Sequence, residues 1–148
     1  MTDPATDITL DFAGGSYRFA LPLALLRELQ TNCKAGLGAI YARVMQGSIP
    51  DDPALGVPHY AGFFIDDLFE TARLGLIGGG GGTVMGRVDD VCPARASVLI
   101  DTYFAPMPVA RQWDLARCIL FACVEGYAPA IADADKKKAE PGTDSSTT

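Results

Sequence analysis

The sequence predicts an α+β fold: a small N-terminal antiparallel β-hairpin packed on a bundle of four or five short helices. Two observations carry that expectation. Hydrophobic periodicity starts at 2, in two runs separated by a glycine pair, and switches to 3.6 at Pro22. From there to about residue 127, apolar residues recur at helical spacing between proline and glycine breaks.

In the first run Ile8, Leu10 and Phe12 alternate with Thr9 and Asp11; in the second Tyr17, Phe19 and Leu21 alternate with Arg18 and Ala20. The connection Ala13-Gly14-Gly15-Ser16 suits a hairpin, because glycine reaches the positive φ that tight hairpin turns require. Pro22 has the fixed φ of a first helical turn, and Leu23, Leu26 and Leu29 follow in a helix expected over 22–32. A second helix is expected over 37–46, with Leu37, Ile40, Tyr41 and Val44 as its apolar stripe and Gly47 as its stop. Residues 48–60 hold Pro50, Pro53 and Pro58 with Asp51, Asp52 and Gly56, which reads as a long surface loop.

A third helix is expected over 63–76, with Phe64, Leu68, Ala72 and Leu76 in line and Asp66 and Asp67 at the start, where the helix dipole favours negative charge. The five glycines 78–82 read as a flexible connector. A fourth helix lies between Asp90 and Phe104, with Pro93 in its first turn and Leu99, Ile100 and Tyr103 inward. The fifth, 108–127, aligns Trp113, Ala116, Leu120 and Val124. The expected core is Phe12, Phe19, Leu26, Ile40, Leu68, Leu99, Trp113 and Leu120. Residues 1–7 read as a frayed lead-in, 8–131 as one globular domain, and 132–148 as a disordered tail whose composition cannot bury a core.

Composition restricts the functions open to such a domain. The balance of 12 basic against 18 acidic residues argues against binding nucleic acid and against adsorption to an anionic membrane. No apolar run reaches membrane-spanning length and the first residues carry no secretory signal, so the expected compartment is the cytoplasm. Cys33, Cys92, Cys118 and Cys123 form no C-x-x-C pair and read as reduced, mostly buried thiols. No catalytic constellation is apparent. His59, the single histidine, has no serine or cysteine beside it, and Asp66-Asp67 and Asp89-Asp90 suit capping better than metal binding. The glycine run lacks the Lys-Ser/Thr that ends a phosphate-binding loop, so neither a cofactor nor a metal is expected.

The order of elements carries a resemblance. The strand, glycine turn, strand and leucine-rich helix of the first 32 residues lead to Gly36-Leu37, Ile40-Tyr41-Ala42-Arg43-Val44 and Gln46-Gly47. Phe64 to Glu70, Leu74 to Gly79, Ala94-Arg95-Ala96, Leu99-Ile100, Tyr103, Pro108, Leu115-Ala116, Ile119-Leu120 and Gly126 follow in sequence. Over about residues 8–127 this resembles the gene-transfer-agent family of phage tail proteins, and in particular the small members read as tail-assembly chaperones. The resemblance implies a non-catalytic protein that associates with the tail tape-measure protein, and with the tail tube protein as a further partner. The alternative is a structural component of the tail, a tube or connector subunit; a single hairpin supplies little strand for that role. Tyr60, Phe63, Val84 and Met85, at the edges of the segments 48–60 and 78–86, are the expected partner-binding residues, since aromatics and methionine supply adaptable apolar contact.

Overall fold

The computed structural model describes residues 5–46 and 62–126. Two hairpins make one antiparallel sheet in the order β1-β2-β3-β4, with β1 Asp7–Phe12, β2 Gly15–Ala20, β3 Gly81–Val84 and β4 Arg87–Asp90. The helices are α1 Leu23–Cys33, α2 Leu37–Gln46, α3 Ile65–Gly79, α4 Pro93–Leu99 and α5 Val109–Val124, with a π-helical segment, Ile100–Phe104, continuing α4. The fold class is α+β, as the periodicity switch implies. Ser48–Tyr60 and the segment beyond residue 126 lie outside the described residues, as does Tyr60 itself.

The first hairpin turns on two residues, Ala13 and Gly14, with φ of 54° and 77°. Positive φ at both central positions matches the right-handed strand twist and registers Phe12 opposite Gly15. The lead-in is shorter than expected: β1 starts at Asp7, whose carboxylate takes the Arg18 guanidinium at 2.7 Å. Pro22 caps α1 from an extended conformation, and Lys34 ends it in the left-handed region. Gln30 Oε1 then accepts the Leu37 N–H at 2.8 Å, which ties the end of α1 to the start of α2.

The second hairpin corrects the reading of the glycine run. Residues 78–82 are not a flexible connector. Gly78 and Gly79 end α3, Gly80 is its left-handed C-cap, and Gly81 and Gly82 are in β3. α3 lies directly on β2: an added Cβ at Gly78 would land on the carbonyl oxygen of Ala20, and one at Gly79 on that of Arg18. Helix and strand backbones approach too closely here for any side chain, which is why these positions are glycine. The turn that follows, Met85-Gly86, has φ of 52° and 77° and repeats the geometry of Ala13-Gly14.

The core lies where the sheet's inner face meets α3, α5 and the α4–π segment. Phe12 sits among Tyr17, Phe19 and Phe104, with ring centroids 5.8, 6.0 and 6.5 Å away. Phe12, Phe19, Ile40, Leu68, Leu99 and Leu120 are buried as expected, whereas Leu26 and Trp113 are only partly covered. On α1 the buried positions are Leu29 and Cys33. Trp113 lies at the margin because its Nε1–H reaches the Val44 carbonyl oxygen at 2.7 Å, fastening α5 to the end of α2.

Tyr103 does not face inward. The π segment inserts one residue into the helical register, with the Ala105 N–H bonded to the Ile100 carbonyl at 2.8 Å, so Phe104 enters the core and Tyr103 turns outward. Buried Gln112 donates to the Phe104 carbonyl at 2.9 Å, satisfying a group left free at the segment's end. On α5 the inward line is Leu115, Ala116, Ile119, Leu120 and Ala122, and Val124 is exposed.

Asp67 is more than a helix-start charge. It is fully buried, accepts the Phe64 N–H at 2.8 Å and receives Arg43 through two bonds of 3.0 and 2.7 Å. Arg43 also lies over the exposed ring of Phe64, 4.8 Å from its centroid. The pair anchors α2 to the start of α3.

Candidate functional site

The second hairpin borders a cleft lined in part by exposed apolar side chains. Register places Tyr17, Gly82 and Asp89 side by side on adjacent strands. With no side chain at Gly82, the buried Tyr17 ring passes across β3 and its hydroxyl donates to Asp89 Oδ2. An added Cβ at Gly82 would come within 2.5 Å of the Tyr17 ring. Arg95, from α4, donates to the same carboxylate from Nε at 3.2 Å and from Nη2 at 3.0 Å. The Arg95 guanidinium, and then the Tyr17 hydroxyl, hold the Asp89 carboxyl below its ordinary range. Burial, reinforced by the Asp89 charge, pushes the Tyr17 phenol up to about 12.

This network floors a cleft of about 550 Å³ whose rim is Val84, Met85, Val88 and Tyr103. Met85 is 92% exposed at the turn, Val88 76% on β4, and Tyr103 45% where the π segment turns it outward. Beyond the rim, β4 has β3 on one side and, among the described residues, no strand on the other, so it is an edge of the described sheet.

Of the residues expected to contact a partner, Val84 and Met85 both line this cleft. Val84 is half-buried and also packs on the core. Phe63 likewise packs against the core, just before α3, whereas Val84 and Met85 follow its other end. The helix between them has 15 residues, or roughly 22 Å, so the two are not brought together. The sequence reads Tyr103 as an inward residue and Asp89 as a capping residue, and gives Val88 and the Tyr17–Asp89–Arg95 network no role. The signal for the hairpin was an X-Gly pair between Thr83-Val84 and Arg87-Val88, hidden by the glycines before it.

The described residues hold no grouping of three or more His, Cys, Asp or Glu placed to bind a metal. Burial pushes the Cys33 thiol up to about 12, and raises Cys118 and Cys123, so these three favour the unreactive protonated form. Among the described residues no helix is long and apolar enough to cross a membrane.

Residues 5–126 match the family described as "Phage tail tube protein, GTA-gp10". This chain belongs to that family. Membership confirms a phage tail protein of the gene-transfer-agent kind and overturns the chaperone of the tape-measure protein expected from the resemblance. The tail tube family implies association with other tail proteins. The earlier objection to a tube role, too little strand, fails because the second hairpin doubles the sheet. No curated protein and no solved structure matches the chain.

Proposed function

We propose that this chain is a structural subunit of the tail tube of a phage-like particle, present in many copies and retained in the finished tail. Its family match over residues 5–126 is the observation that carries the reading. The β4 edge and the apolar rim beside it support it further. An open strand offers a row of unpaired N–H and C=O groups to another chain, and Val84, Met85, Val88 and Tyr103 offer apolar contact next to it.

Mass spectrometry of purified particles tests the reading. The chain should be found in finished tails in multiple copies relative to terminator or tip proteins, and deleting its gene should leave heads without tubes. Absence from finished particles, with tubes still formed after deletion, would refute it.

A further inference from the structure

We propose that β4 docks a second copy of this chain, strand against strand, about a two-fold axis that sets Val88 opposite its own equivalent. Three observations lead there: among the described residues no strand pairs with the outer edge of β4, its Val88 side chain is 76% exposed, and its charges are self-complementary in one register only.

A two-fold axis normal to the sheet carries each face of the sheet onto itself. Directly opposed residues of an antiparallel pair lie on one face, so residues of the same alternation must meet. On β4 that leaves four centred registers. Centring on Arg87 opposes two arginines, centring on Asp89 opposes two aspartates and places Val88 against Asp90, and centring on Asp90 again opposes two aspartates. Centring on Val88 sets Arg87 of each copy opposite Asp89 of the other and joins the two valines on the opposite face. Opposite charges and apolar pairs across strands stabilise a sheet, and like charges directly opposed weaken it. Among the described residues Arg87 has no ion pair of its own, so it is available to bridge. Asp89 is already held as an anion by Arg95, so the acceptor is in place.

The pair makes an eight-stranded sheet, twice the four strands of one copy, and covers both β4 edges. A closed pair has no β4 edge left to offer, so it would hold subunits back from growing into a polymer through that strand. This last meaning rests on the tube reading; the pairing itself does not.

The test measures self-association of the full chain by sedimentation, for wild type, Val88→Lys, Val88→Glu and an equimolar mixture of the two variants. The side chain is solvent-facing, and circular dichroism identical to wild type confirms that each variant folds. Wild type should dimerise, and each variant alone should dimerise at least about tenfold more weakly, because like charges meet at the axis. The mixture should recover the dimer, because lysine then meets glutamate. A monomeric wild type, variants that dimerise as wild type does, or a mixture that stays monomeric would each overturn the pairing. Presence of the chain in finished particles is read separately, so the pairing and the tube reading can fail independently.

Discussion

Replacing Gly79 by alanine should destabilise this protein by about 2 kcal/mol, although alanine normally strengthens a helix. In an open helix the change gains about 0.5–1 kcal/mol through lower backbone entropy in the unfolded chain. At Gly79 the new Cβ would overlap the carbonyl oxygen of Arg18 and come within 3.0 Å of the Phe19 amide nitrogen. Both obstacles are backbone atoms of β2, so no rotamer change relieves the overlap and α3 must lift from the sheet. Overpacking of this kind costs about 1–3 kcal/mol, and a rigid obstacle belongs at the upper end, which leaves about 2 kcal/mol after the helical gain. Gly38 is the control: it lies in α2, and an added Cβ there has nothing within 4 Å. Thermal unfolding followed by circular dichroism reads both. Gly79→Ala should lower Tm by about 8 °C and Gly38→Ala should raise it by about 2–4 °C, taking about 4 °C per kcal/mol for a domain of this size. If Gly79→Ala stabilised the protein as Gly38→Ala does, the glycine run would be a connector and the close approach of α3 to β2 would be wrong.

Three further outcomes follow from single contacts. Asp67→Asn should cost about 3–5 kcal/mol in chemical denaturation, because it leaves Arg43 without its buried counter-charge; a loss below about 1 kcal/mol would contradict the burial. Phe104→Ala should cost about 3–5 kcal/mol and Tyr103→Ala much less, and the reverse order would show that the π insertion is absent. Ultraviolet titration should find one phenol ionising near 12 that disappears in Tyr17→Phe. Because this folded value lies above the ordinary phenol value of 10.0, its contribution to stability is complete below pH 10 and is lost as pH rises from there through about 12; a Tyr17 phenol titrating at its ordinary value would show that the ring is neither buried nor bonded to Asp89.

The N-terminal half of the fold was legible because its determinants are local. Alternation from Ile8 to Leu21, a glycine in the turn, proline before α1 and the stripe Leu37, Ile40, Tyr41 and Val44 each specify an element within a few residues. What tertiary structure decided lies where a residue's partner is distant in the chain. Gly81 and Gly82 have no side chains to show alternation; both pair with β4, and Gly82 also pairs with Tyr17 of β2, more than sixty residues earlier. The same distance hides the reason for Gly78 and Gly79, which is the β2 backbone beneath them. The inward turn of Phe104 depends on one inserted residue in a helical register, and a strict 3.6 period selects Tyr103 instead. Asp67 reads as a cap from its position, and only the approach of Arg43 from α2 makes it a buried ion pair. Periodicity reports which face of an element is apolar. It carries no record of which backbone lies against that face, or how closely, and in this chain that approach created the second hairpin and the cleft beside it.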